Sequence, residues 1–226
     1  MQLLTSPWAE TFDQFGRSIR HQGILVAPFI TKEPLKHLAS ILNRRNPPTI
    51  ELLANLAVDH LLQGTTDANA IASFCREQAN TTVRHLPGLH AKAYVADHDL
   101  AIITSGNLTY ASLNRNYEYG IQITDRGLVR QISQDLRHYG DLGSQVSLAE
   151  LDHLSEITAT LQNVHAETLR TARATAKQEF ERQLETARES LRHLRAKPGE
   201  SANTIFCRTI LYILRACVKS ARNLPS

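Results

Sequence analysis

Hydrophobic positions along the chain fall into short β-branched runs that alternate with stretches of helical spacing. GILVAPFIT (23–31), bounded by Gly23 and Pro34, predicts a buried strand. Pro34 then opens a helix over LKHLASILNRR, which Asn46-Pro47-Pro48 ends. TIELLANL (49–56) reads as the next strand, with a helix as the alternative because Leu and Ala dominate it. A helix over 65–80 has Thr66 or Asp67 as its N-cap. TVRHL (82–86) is a short strand and Pro87-Gly88 a turn. A further strand starts at Leu89, and DLAIITSGN gives another that ends in a tight Ser-Gly-Asn turn. YGIQITD (119–125) is a strand and 127–139 a helix. Alternation of this kind predicts an α/β layered domain.

The pattern changes near Gly140–Gly143. From Ser147 to Lys197 there is no Gly or Pro, and Ala, Glu, Arg and Leu dominate. Leu154, Ile157, Leu161 and Val164 form one apolar stripe, and Phe180, Leu184, Ala187, Leu191 and Leu194 a second. Thr168, Ala172 and Ala176 shift the phase between them, which predicts a long helix or a helical hairpin rather than one uniform coiled coil. Pro198-Gly199 ends it, and a last helix covers about 202–221. The expected division is an α/β domain over 1–142 and a helical extension over 143–226.

With 226 residues and 42% hydrophobic content, the chain can fill a core. Its net charge of +3 is small, but from Arg188 to Arg222 eight Lys or Arg face only Glu189 and Glu200, a candidate polyanion surface. Cys75, Cys207 and Cys217 have no metal-ligand spacing and make no even framework, which fits reduced thiols in the cytoplasm. MQLLTSPWAETFDQF lacks the basic start and apolar run of a signal peptide. The most apolar window, Ile205 to Val218, is too short and too charged to span a bilayer, so no membrane partner is expected.

The densest chemistry lies between Leu89 and Gly120, where His90, Lys92, Asp97, Ser105, Asn107 and Glu118 fall in one strand-rich segment. On a strand, His90 and Lys92 share a face. A neutral imidazole can attack phosphorus while an adjacent ammonium holds the phosphate oxygens. Asn107 and Ser105 add an amide donor and a hydroxyl to the same task. Glu118 is placed to accept a hydrogen bond from the second imidazole nitrogen and fix its tautomer. Asp97 reads as structural, bonding backbone amides in the VADHDL turn. His85, His90 and His98 match no zinc spacing, and Asp59, Asp67 and Asp99 form no paired-carboxylate cluster, so neither a metal nor another cofactor is expected.

These residues resemble the signature of the phospholipase D superfamily, His-x-Lys-x4-Asp followed by Gly-Ser-x-Asn. His90, Lys92 and Asp97 match its first half. Ser105 and Asn107 match the second, with Thr104 where the family has Gly. The longer pattern through Leu108, Thr109, Ser112, Leu113, Asn116 and Glu118 looks most like the single-motif nucleases, including nuclease domains of some restriction enzymes. The resemblance implies a mixed sheet flanked by helices and a covalent phosphohistidine formed on His90. In-line displacement needs an acid on the far side of phosphorus, and no second His-x-Lys occurs in the chain. One motif per chain therefore predicts a homodimer whose two His90 residues share one site.

The expected function is metal-independent hydrolysis of a nucleic-acid backbone, DNA favoured over RNA, with Lys92, Asn107 and Arg115 contacting the substrate. Restriction or phage defence is the expected setting, and the C-terminal helices are free to bind a larger protein partner. The competing readings are a phospholipase D-type lipid phosphodiesterase and a catalytically idle nucleic-acid-binding scaffold. Thr104 puts a methyl and a hydroxyl at the pocket, where they are expected to narrow it.

Overall fold

The structure is a computed structural model that describes residues 1–193. Its elements run β1 (Gln2–Thr5), α1 (Ala9–Ser18), β2 (Gln22–Val26), α2 (Lys32–Ile41), β3 (Thr49–Ala54), α3 (Val58–Leu62), α4 (Ala68–Glu77), β4 (Thr81–His85), β5 (Ala93–Ala96), β6 (Leu100–Thr104), α5 (Tyr110–Asn114), β7 (Tyr119–Ile123), α6 (Arg126–Leu142), β8 (Ser144–Val146) and α7 (Leu148–His193). The strands form one mixed sheet in the order β1-β7-β6-β5-β2-β3-β4-β8. β2, β3 and β4 are parallel to one another, and every other pairing is antiparallel.

The central strands are buried on both faces, which is why β2 reads as a continuous apolar run rather than an alternation. Leu25 points into one core with Phe12, Phe15, Leu35, Leu38, Ile71 and Phe74, contributed by α1, α2 and α4. Ile24 and Val26 point the other way, into a second core with Val95 and Ala101 and with Val129 and Leu136 of α6. Helices on both faces of a mixed sheet are the α/β architecture expected from the sequence.

Strand β3 settles the ambiguous TIELLANL stretch in favour of extended structure, because parallel partners flank it on both sides. Asp67 is the N-cap of α4, its carboxylate accepting from the Ala70 amide at 2.9 Å. The helix expected to run to Asn46 stops at Ile41. Asn43 accepts from the Arg45 and Asn46 amides at 2.9 and 3.2 Å, a local turn that diverts the backbone before the two prolines are reached.

The chain divides into compact units Met1–Ala166 and Glu167–Ser226. Beyond residue 142 the first unit adds β8 to the sheet edge and then enters α7, whose Leu151 is buried in the core. Arg76 pairs with Asp152, and Gln162 donates to the Leu61 carbonyl at 2.8 Å. In the second unit the described part of α7 is helical to His193, with Phe180 exposed and local ion pairs such as Arg182–Glu179. The helix expected at 202–221 and the basic run beyond Arg188 lie outside the described residues. No helix among the described residues is long and apolar enough to cross a membrane.

Strand direction positions the site. The carboxyl ends of β2, β3, β4 and β6 meet the amino ends of β5 and β7 at one edge of the sheet. Open α/β sheets bind ligands at the edge where parallel strands end. His90, Lys92, Ser105, Asn107 and Glu118 all sit in the segments that leave or enter strands there.

Candidate active site

His90 and Lys92 stand just ahead of β5 rather than inside it. The ladder reaches back only to the Lys92 carbonyl, which accepts from the Thr104 amide at 3.2 Å. The expected same-strand pairing is replaced by a tighter local contact. Lys92 Nζ donates to the His90 carbonyl at 2.8 Å and lies 3.3 Å from both nitrogens of the His90 ring. The imidazole is exposed, whereas Lys92 is only 8% exposed. An ammonium has donors and no acceptor, so it can bind anionic oxygens beside the ring while the ring stays available as a nucleophile.

Burial lowers the Lys92 pKa below the ordinary lysine value, with the Glu118 carboxylate acting in the opposite sense. A lowered pKa means the ammonium is lost at a lower pH as the solution is made alkaline. If activity needs that charge, kcat/KM is expected to fall below the pH at which an exposed lysine titrates. In Lys92→Arg, whose guanidinium does not titrate in this range, the alkaline fall should vanish from whatever activity remains. A pH–rate profile that is identical in both proteins would refute the assignment.

Glu118 was expected to orient His90. In the single chain it is instead bonded to Ser105 Oγ at 2.5 Å and Asn116 Nδ2 at 3.2 Å, with no hydrogen bond to His90. Ser105 Oγ also accepts from the Tyr119 amide at 3.1 Å, which fixes the hydroxyl between the two strand ends. Ser105 therefore donates its hydrogen bond to Glu118 and reaches the cleft from that anchored position. Asn107 is half-buried and its Oδ1 has no hydrogen-bond partner. Arg115, exposed at the end of α5, lies over the Tyr110 ring at 5.1 Å.

Thr104 is buried and caps the turn: its hydroxyl accepts from the Gly106 amide at 3.1 Å and donates to the Tyr119 carbonyl at 3.2 Å. It pairs with Gly120, where a Cβ would fall 2.7 Å from the Thr104 Cβ, so the side chain fills space that glycine leaves free. Gly106 is equally constrained. A Cβ there would meet Ser112 Oγ at 2.7 Å and the Trp8 ring at 2.8 Å.

Asp97 is structural in a wider sense than a turn cap. With φ at +49°, it points its carboxylate away from its own turn to accept from the amides of Arg20, His21 and Gln22 at 3.2, 2.9 and 2.8 Å. It sits at the far end of β5 from His90. Asp97→Ala is expected to lose about 1–3 kcal/mol of stability by leaving those amides unpaired, with turnover per folded molecule unchanged. Urea unfolding together with activity measured in buffer checks both; a variant of normal stability and no activity would make Asp97 catalytic.

Several supporting residues gave no signal in the sequence. Ser6 Oγ bonds both the amide and the carbonyl of Glu118. Trp8, fully buried against Phe12 and Tyr94, donates from Nε1 to the Ser112 carbonyl at 3.0 Å. Tyr94 donates to the Gly106 carbonyl at 2.9 Å. Together they clamp the Ser105–Asn107 turn and α5 from beneath. Among the described residues, no group of three or more His, Cys, Asp or Glu converges as a metal site.

An open cleft of about 480 Å³ borders the pair, lined by His90, Lys92, Thr104 and Ser105 on the sheet edge and by α6 on the other side. A mixed sheet carrying His-x-Lys and Ser-x-Asn at this edge defines a phospholipase D-like domain that acts on phosphodiesters. Residues 18–139 match the family model described as cardiolipin synthase, PLD-like domain, and the chain belongs to that family.

Solved structures share the fold at low sequence identity. NucT from Helicobacter pylori is 14% identical with a TM-score of 0.52, over 64% of this chain and 98% of its own. The phospholipase D family member Nuc from Salmonella typhimurium is 16% identical with a TM-score of 0.51, over 64% of this chain and 96% of its own. Phosphatidylserine synthase from Haemophilus influenzae Rd KW20 is 13% identical with a TM-score of 0.55, over 74% of this chain and 46% of its own. A search of curated protein sequences gives no significant match.

Proposed function

We propose that the protein is a metal-independent nuclease that cleaves nucleic-acid phosphodiesters through a phosphohistidine, in a site assembled from two copies of the chain. The observation that carries this reading is the exposed His90 ring with the buried Lys92 ammonium 3.3 Å from both its nitrogens, at the mouth of a cleft. A His90 nitrogen attacks phosphorus as the P–O bond to the departing strand breaks. The His90 of the second copy gives that oxygen its proton, then takes one from water as the water attacks. The P–N bond breaks and the first imidazole is restored. Lys92 and Asn107 hold the non-bridging oxygens, Ser105 supplies a further hydroxyl, and Arg115 contacts the flanking backbone.

Leu3 and Tyr119, exposed on one side of the β1–β7 edge next to Glu118, give an apolar surface for the second copy. A small phosphate-reading site touches no bases in a sequence-specific way, so target choice in a restriction or defence assembly falls to a partner. DNA is favoured as substrate over RNA.

The test is cleavage of DNA, RNA and phosphatidylglycerol by the purified chain in excess EDTA. Nucleic-acid cleavage is expected. Strict dependence on a divalent ion would sink the mechanism, and cleavage of the lipid alone would replace the nuclease by a lipid phosphodiesterase.

A further inference from the structure

We propose that the cleft beside His90 and Lys92 is a nucleobase subsite, so that the nucleotide flanking the scissile phosphate enters unpaired. The inference rests on the nuclease reading and adds the substrate class: single-stranded nucleic acid.

The lining carries it. Ile103, Ile132, Leu136 and Tyr139 form the walls, and Ala91 and Ala93 the floor. Ala91 and Ala93 pack with the α6-side core, so two small residues leave an apolar hollow on that side of the sheet edge, and His90 and Lys92 border it. A groove that tracks a duplex backbone needs several Lys or Arg along it. Apart from Lys92 and His90, the only ionisable groups on this lining are the Tyr139 phenol and the exposed carboxylate of Asp135. A carboxylate there repels a second phosphate, but it accepts N–H groups from the edge of a base.

The volume of about 480 Å³ lies in the ordinary range for a small-ligand site. Tyr139 is 43% exposed, which leaves ring surface free for stacking. Stacking of one base on an aromatic side chain is worth about 5- to 150-fold in affinity. A base held in a duplex reaches a side hollow only by leaving its own stack, and that cost selects unpaired strands. An acyl chain would also wet these walls, but it gains nothing from Asp135.

The experiment uses a dinucleotide, which has a single phosphodiester, and the same molecule with either base removed. All three are assayed with the wild-type chain, Tyr139→Ala and Tyr139→Trp. An oligonucleotide is compared as a single strand and as a duplex, and phosphatidylglycerol micelles are run in parallel. Tyr139→Ala is expected to lower kcat/KM on the intact dinucleotide by about 5- to 150-fold, mainly through KM, while Tyr139→Trp retains it. Removing one of the two bases should slow the wild type by a similar factor and leave Tyr139→Ala without further loss. The single strand should be cut faster than its duplex.

The subsite is overturned if removing either base in turn costs the wild type nothing at both positions, if Tyr139→Ala slows intact and base-free substrates equally, or if duplex and single strand are cut alike. Cleavage of the micelles with no cleavage of any nucleic acid would instead remove the nuclease reading itself, and the subsite with it.

Discussion

His90→Ala is expected to lose about 10⁴-fold or more of phosphodiester cleavage in excess EDTA, the range seen when a covalent nucleophile is removed from an enzyme. The loss should fall on kcat, because the Lys92 ammonium and the Asn107 amide that bind the phosphate stay in place. The exposed ring contributes little to packing, so the variant should unfold at the wild-type urea concentration. Trapping offers a second readout: acid quenching of the wild type with labelled substrate should yield a phosphorylated protein, and His90→Ala should yield none. A variant that keeps more than about one hundredth of the activity would place the nucleophile elsewhere.

Local chemistry was legible in the sequence wherever the decisive neighbours are close along the chain. His90 and Lys92 contact each other across two residues, and Asp67 caps α4 three residues ahead of its partner. The alternation of apolar runs with helical spacing also sufficed for the layered sheet, because strands buried on both faces read as nearly continuous apolar runs.

What stayed hidden depends on partners brought together by the sheet. Glu118 was assigned to His90 as an orienting carboxylate. Pairing of β6 with β7 sets Thr104 opposite Gly120 and thereby brings Ser105 Oγ within 2.5 Å of the carboxylate. Asp97 finds its amides some 75 to 77 residues away, since β5 ends beside the start of β2. The substitution at Thr104 looked like a narrowing of the pocket. It does line the cleft, but its hydroxyl also holds the turn closed, and Gly120 across the ladder makes the room. β1 and β8 are edge strands of four and three residues, too short for a period of two to stand out. Ser6 and Trp8 reach the site only because β1 pairs with β7 and ends at the same edge.

Co-refolding equal amounts of wild-type and His90→Ala chains is expected to leave about one quarter of the activity of the same total amount of wild type, rather than one half. Random pairing in a two-fold dimer gives about one quarter wild-type pairs and about one half mixed pairs. In a mixed pair the remaining His90 can attack phosphorus, but the departing alkoxide has no acid opposite it, a deficit of about 10²–10⁴-fold. Independent sites would instead leave each wild-type chain fully active whatever its partner. The leaving group separates the two roles further. A p-nitrophenyl ester departs as a stable phenolate and needs no proton, so mixed pairs should release nitrophenolate in a first turnover close to that of wild-type pairs while remaining inactive on an alkyl diester. Sedimentation has to show pairs throughout. A monomer with full activity, or half-activity mixtures on every substrate, would assign both the nucleophile and the acid to one chain, and the second acid would then have to be a residue other than histidine 90.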